Sequence, residues 1–219
     1  MINHALSNDR IKCVIFDCDG TLVDSEYLFN RALSEQLRRR GISLDAQVLV
    51  KRFRGMNLSV VIESLETEYS VTLDGEFIAV YRDAVEVLFR RELVACKGVA
   101  ETLGRLRVAM CVASNGPIAK MKLALSVTGL SNFFGDRLFS AYQVNAWKPD
   151  PKLFQYAAKK MGFDSTQCLV VEDSLVGIEA ARKAGMTAIL YDSNKAHKEV
   201  NDLIKIDCFS QLLRYVPNI

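Results

Sequence analysis

Apolar positions along this chain follow two alternating rhythms. Short aliphatic and β-branched runs at Ile11–Phe16, Val108–Ala113, Arg137–Ser140, Cys168–Val171 and Thr187–Tyr191 read as buried strands. Between the later runs, Gly98–Leu106, Ile118–Val127, Pro151–Met161 and Ser174–Ala184 read as helices. Alternation of this kind predicts an α/β protein with a doubly wound parallel sheet. Punctuation agrees with the register: Asp150-Pro151 predicts a helix start with proline in the first turn, and Gly185 a helix stop after Ala184.

Between Asp24 and Glu92 the rhythm changes. No strand pattern is present, and three or four amphipathic helices follow one another. Leu28, Ala32, Leu33 and Leu37 share one helical face, as do Val60, Val61, Ser64 and Leu65, and then Phe77, Val80, Tyr81, Ala84 and Leu88. The segment interrupts the α/β alternation directly after its first strand. We therefore expect a core made of residues 1–24 and 96–219 and an inserted helical domain at 25–95, with hinges near Ser25 and Ala95–Gly98. The run Arg38-Arg39-Arg40 before Gly41 reads as a solvated helix C-terminus favoured by the helix dipole.

Size and charge narrow the function classes. At 219 residues the chain accommodates one α/β domain with about 70 residues left for an insertion. A net charge of +2 gives no electrostatic case for nucleic acid or an anionic membrane as partner. No apolar stretch approaches bilayer length, and Met1–Arg10 is polar, lacks a secretory h-region and is expected to fray. Six cysteines without a CxxC pair suggest free thiols in a reducing compartment, so a cytoplasmic enzyme is expected. Cys18, although it lies between two aspartates, is expected to point away from the side that they share.

Candidate chemistry gathers at predicted strand ends, the edge where open α/β sheets bind ligands. Asp17-Cys18-Asp19-Gly20-Thr21-Leu22-Val23-Asp24-Ser25 follows the first run. Asp17 and Asp19 fall on one side of an extended chain, and carboxylates so close repel unless a cation or proton intervenes. A simple Asp-Gly turn is the plainer reading. However, the five positions Asp, Asp, Gly, Thr and Asp should coincide in only about one in ten thousand chains of this length. Ser114-Asn115-Gly116 after the second run suits a phosphate cradle at a helix start, or equally a loop or helix cap. Lys148 stands in Lys148-Pro149-Asp150-Pro151, where a lone lysine is ordinarily solvated. Glu172 and Asp173 end a strand of buried type, where acids are costly unless paired or bound to metal. Ser174 reads as the cap of the next helix.

The order Asp-x-Asp, Ser, Lys, Glu-Asp resembles the haloacid dehalogenase superfamily of phosphotransferases at all four of its motifs, over essentially the whole chain. The wider similarity includes Lys-Arg-Phe-Arg-Gly at 51–55, Val-Ala-Ser-Asn-Gly-Pro at 112–117 and Trp-Lys-Pro-Asp-Pro at 147–151. It is similar to bacterial sugar phosphatases of the 6-phosphogluconate phosphatase kind. The resemblance implies a Rossmann-like core with a four-helix-type cap, and a Mg²⁺-dependent phosphatase acting on a small phosphomonoester such as a sugar or sugar-acid phosphate. It implies Asp17 as nucleophile forming an aspartyl-phosphate, Asp19 as general acid and base, and Lys148 as a charge that offsets repulsion. Ser114, Asn115, Gly20 and Thr21 would surround the phosphoryl group. Asp17, the Asp19 carbonyl and Asp173, with Glu172, would hold Mg²⁺.

Specificity would lie in the cap, with Arg52, Arg54 and Asn57 around Gly55 as candidates to meet a substrate carboxylate; solvated helix residues are the alternative reading. Tyr27 is a further candidate. The expected partner is the phosphomonoester alone, without nucleic acid or membrane, in a monomer or weak dimer. Asp19 argues against dehalogenation, which needs no leaving-group proton. β-Phosphoglucomutase is the main alternative, followed by a phosphoglycolate or nucleotide phosphatase. Phe29 and Leu58 stand where the mutases carry histidine and arginine, which favours hydrolysis. A receiver-type signalling domain is disfavoured by length and by the Asp-x-Asp spacing, and a binding protein without chemistry by the presence of every expected catalytic position.

Overall fold

The computed structural model describes residues 10–53, 56–200 and 202–217. The expected fraying of Met1–Arg10 falls, apart from Arg10, outside the described residues, as do Arg54 and the Gly55 turn. Among the described residues six strands form one sheet: β1 (Cys13–Phe16), β2 (Ala109–Ser114), β3 (Leu138–Ser140), β4 (Cys168–Glu172), β5 (Thr187–Tyr191) and β6 (Ile204–Ile206). Every pairing is parallel, and the order is β3-β2-β1-β4-β5-β6. The chain builds outward from β1 to β3, then returns to the other side of β1 with β4. That reversal makes the C-terminal ends of β1 and β4 the ligand-binding crevice of this topology.

β1 is apolar throughout because it is covered on both faces. Cys13 and Ile15 join Cys111, Ala113, Cys168 and Val170 in a core with Leu153, Phe154 and Ala157 from one helix and Ala180, Ala181 and Ala184 at another. On the opposite face Phe16 lies edge-on to Phe134, with centroids 5.9 Å apart, and stacks on Phe209 at 6.4 Å. Cys13, Cys111 and Cys168 are fully buried free thiols in strands, where cysteine packs as a small apolar residue.

Among the described residues the helical stretch forms four helices, α1 (Glu26–Arg39), α2 (Ala46–Phe53), α3 (Leu58–Tyr69) and α4 (Gly75–Glu92). They form a compact unit, Asp24–Val94, and the remaining described residues form the other. Within the helical unit α1 packs on both α2 and α4, Phe29 lies 5.2 Å from Phe89, and Arg31 makes a two-pronged ion pair with Glu92 at 2.7 and 2.6 Å. The other unit adds α5 (Val99–Arg105), α6 (Ile118–Val127), α7 (Ser131–Phe134), α8 (Ala141–Val144), α9 (Lys152–Met161) and α10 (Leu175–Lys183).

Expected and observed elements agree to within a residue or two at most ends. At α9 the first helical residue is Lys152, and Asp150 Oδ1 caps it by accepting from the Lys152 N–H at 2.8 Å. β6 and the single-turn helices α7 and α8 were absent from the sequence pattern, being too short to show a period.

Candidate active site

The chain leaves β1 at Asp17, whose N–H still bonds to the Val171 carbonyl of β4 at 2.9 Å. It then turns sharply: the Cys18 carbonyl accepts from the N–H groups of both Leu22 and Val23. Gly20 sits inside this turn at φ +78°, and a Cβ there would lie 2.1 Å from Asp173 Oδ2. Only glycine allows that approach. Cys18 is fully buried, and burial with the neighbouring Asp19 carboxylate pushes its thiol pKa well up, so it is no nucleophile.

Lys148 organises the centre. It lies in the loop between α8 and α9 but is buried rather than solvated, with its side chain 4 % exposed. Its Nζ donates to Asp17 Oδ1 at 2.5 Å, Glu172 Oε1 at 2.6 Å and the Ala113 carbonyl at 3.0 Å. Those three acceptors satisfy all three ammonium hydrogens. The Lys148 backbone N–H donates to Asn115 Oδ1 at 3.0 Å, fixing the loop after β2 to the loop after α8. Ser114 is buried and its Oγ accepts from the Gly116 N–H at 3.1 Å, so the hydroxyl keeps its own hydrogen for donation.

Asp17, Glu172 and Asp173 each offer an oxygen within 4.8 Å of the others, and can together hold a metal ion. Their setting fits a hard divalent cation, because Asp17 and Glu172 share one ammonium and all three residues supply oxygen donors. The strain of that imbalance is visible on Asp17. Burial lifts its pKa from 3.8 to about 7, with Glu172 and Asp19 adding to the rise against the pull of Lys148. Glu172 is oriented from behind by Ser174, whose N–H and hydroxyl both donate to Oε2, at 3.0 and 2.7 Å. The Ser174 hydroxyl also accepts from the Gly177 N–H at 3.1 Å, the cap that was expected at α10.

Two positions have partners that the sequence did not foreshadow. Thr21, expected beside the phosphoryl group, is fully buried and donates its hydroxyl to Asp173 Oδ1 at 3.2 Å. Asp19 is held by a residue that sequence reasoning missed, Lys120 of α6, with Nζ 2.5 Å from Oδ2. Burial lowers the Lys120 pKa, but the Asp19 carboxylate outweighs it and keeps the ammonium charged. The available signal was a cation in a helix's first turn, where a cation is disfavoured.

The residues proposed for specificity lie in the helical unit. Arg52 makes an ion pair with Glu68, donates to Ser64 Oγ at 3.2 Å and lies over the Phe53 ring. Asn57 caps α3 by accepting from the Ser59 N–H at 3.0 Å.

Comparison with known proteins extends over nearly all of this architecture. The chain is 40% identical over 192 residues to the 6-phosphogluconate phosphatase of Escherichia coli, covering 87% of each protein. It is 32% identical over 187 residues to the fructose-1-phosphate phosphatase of the same species, covering 83% of this chain and 96% of that one. Among solved structures, a haloacid dehalogenase-family hydrolase from Deinococcus radiodurans with bound phosphate and sodium superposes with a TM-score of 0.73 at 27% identity, over 93% of each chain. A haloacid dehalogenase-like protein from Agrobacterium tumefaciens superposes with a TM-score of 0.80 at 28% identity, over 93% of this chain and 96% of that one. The family description of haloacid dehalogenase-like hydrolases itself matches residues 11–185, from the start of β1 to the turn before β5, and the chain belongs to that family.

Proposed function

We propose that this protein is a Mg²⁺-dependent phosphatase of a small phosphomonoester, a sugar or sugar-acid phosphate such as 6-phosphogluconate. One observation carries the chemistry: a buried carboxylate at the end of the central strand, gripped by Lys148 and grouped with two more carboxylates. The 40% identical 6-phosphogluconate phosphatase, and the phosphate in the Deinococcus relative, support the substrate class.

In this reading Asp17 is the nucleophile. Its oxygen bonds to phosphorus as the ester P–O bond breaks, and the leaving oxygen takes a proton from Asp19. Water then attacks the phosphoryl group, returns a proton to Asp19, and frees Asp17 and orthophosphate. Lys148 keeps Asp17 oriented and offsets the repulsion between carboxylate and phosphate. Ser114 and the Asn115 backbone hold the phosphoryl oxygens, while Gly20 lets the chain pass close to them. Asp17, Asp173, the Asp19 carbonyl and Glu172 are the metal-holding groups, with Thr21 setting the angle of Asp173. Bound Mg²⁺ supplies positive charge to the transferring phosphoryl group.

The choice of ester falls to the helical unit, with Arg52, Arg54 and Asn57 as the candidates. Phe29, packed on Phe89, offers no imidazole to a second phosphate and supports hydrolysis over a mutase. The protein is expected to act in the cytoplasm, in keeping with its six free cysteines.

The test is orthophosphate release from a panel of phosphomonoesters with Mg²⁺ and with chelator. The panel spans 6-phosphogluconate, hexose phosphates, phosphoglycolate, nucleotides and β-glucose 1-phosphate. Mg²⁺-dependent release, fastest from a sugar-acid or sugar phosphate and abolished in Asp17→Asn, is expected. Conversion of β-glucose 1-phosphate to the 6-phosphate faster than phosphate release would overturn it.

A further inference from the structure

The lysine in the first turn of α6 stands against the rule for helix ends. Lys120 is the third residue of the helix, where outward backbone N–H groups repel a cation. Its ammonium nevertheless meets Asp19, Nζ to Oδ2 at 2.5 Å, with the two side chains only 23 % and 22 % exposed. The route that the side chain takes depends on Gly116. A Cβ there would lie 2.6 Å from Lys120 Cε and 2.8 Å from Nζ. Gly116 is itself fixed at both ends: its N–H donates to Ser114 Oγ at 3.1 Å and its carbonyl accepts from Ser140 Oγ at 2.7 Å. The loop carrying the phosphate-binding candidates thus also shapes the passage through which Lys120 reaches Asp19. A solvated surface lysine has no need of such a passage.

We propose that Lys120 is a positioning residue for Asp19, an inference that rests on the phosphatase reading above. Proton exchange with the leaving oxygen, and then with water, requires the Asp19 carboxyl to hold one orientation to within a few tenths of an ångström, and an untethered aspartate samples several rotamers. Lys120 grips one carboxyl oxygen and removes that freedom. It keeps its own proton throughout. The proton lost from Asp19 to the leaving oxygen is regained from water, so the cycle consumes only ester and water.

The test compares kcat/KM, which reports only the steps up to release of the alcohol, for two esters on the full-length enzyme with Mg²⁺. One is the sugar phosphate that the unmodified enzyme turns over fastest, whose alkoxide needs a proton. The other is 4-nitrophenyl phosphate, whose leaving group needs none. Lys120→Met should lower kcat/KM about 10- to 100-fold for the sugar phosphate and by less than about threefold for the aryl ester, within the range of general acid catalysis. The ratio between esters does not depend on the folded fraction of the variant. Asp19→Asn should show the same asymmetry, and the double variant should be no slower than Asp19→Asn alone, because the proposed role of Lys120 runs through Asp19. Lys120→Arg, which retains a donor, should recover part of the loss. Equal losses on both esters, or losses that multiply in the double variant, would overturn the proposal while leaving the phosphatase reading intact. An unmodified enzyme that releases phosphate from no ester would instead overturn both.

Discussion

Thr21 donates its hydroxyl hydrogen to Asp173 Oδ1 across 3.2 Å, joining the turn after β1 to the residue that follows β4. Because Thr21 is fully buried, water does not compete for the bond. Thr21→Val preserves shape but removes the donor. Loss of a hydrogen bond that orients a metal ligand should weaken Mg²⁺ binding about tenfold, measured by titration calorimetry, while kcat at saturating Mg²⁺ stays near that of the unmodified enzyme.

Gly20 and Gly41 share a left-handed backbone, at φ +78° and +82°, but differ in their surroundings. A Cβ at Gly20 meets Asp173, whereas at Gly41 nothing among the described residues lies within 4 Å. Alanine at either position should cost about 1–2 kcal/mol in backbone strain, read from urea unfolding. Gly20→Ala should also abolish activity by displacing Asp173, and Gly41→Ala should retain it.

The raised pKa of Asp17 makes metal binding compete with a proton. In the metal-free fold the carboxyl is protonated below about pH 7, against 3.8 when unfolded. Its contribution to stability is therefore complete below the lower value and is lost as pH rises through the upper one. A metal ion needs the carboxylate form, so the Mg²⁺-induced rise in Tm should be larger at about pH 8 than at about pH 5.5. Thermal melts across that range, with Mg²⁺ or chelator, provide the comparison, and Asp17→Asn should flatten it.

Removing Lys148 leaves Asp17 and Glu172 facing each other in the interior. Breaking a buried pair from one side costs about 3–5 kcal/mol, so Lys148→Met should be inactive and markedly less stable near neutral pH. The double variant Lys148→Met/Glu172→Gln should regain much of the stability but none of the activity. Chemical denaturation of the two variants, side by side, tests the pair.

What was legible in the sequence was whatever a strand carries to its own end. Asp17, Ser114, Glu172 and Asp173 each terminate or follow an apolar run, so the parallel sheet alone brings them to one edge. Lys148 could be placed at that edge, but not in the interior, because its burial depends on acceptors from β1, β2 and β4 at once. Lys120 was illegible for a related reason: its meeting with Asp19 spans 101 residues and follows from the path of one side chain past Gly116. Thr21 entered as a phosphate-site candidate only through the family resemblance, and its hydrogen bond to Asp173 was illegible because it joins residues 152 positions apart. β6 escaped notice because three residues carry no measurable alternation.

The helical segment departs and returns through one narrow neck. Val23 bridges to Ala95 in antiparallel fashion, and the Asp24 N–H bonds to the Val94 carbonyl at 3.0 Å. The 71 residues Asp24–Val94 thus begin and end at adjacent points, the condition under which whole segments are exchanged or shortened without unravelling the host. Evolution can treat such a segment as a cassette. Relatives that share the sheet and its acids are then free to diversify in what they accept by replacing one contiguous stretch of gene, while the bond-breaking apparatus is inherited unchanged.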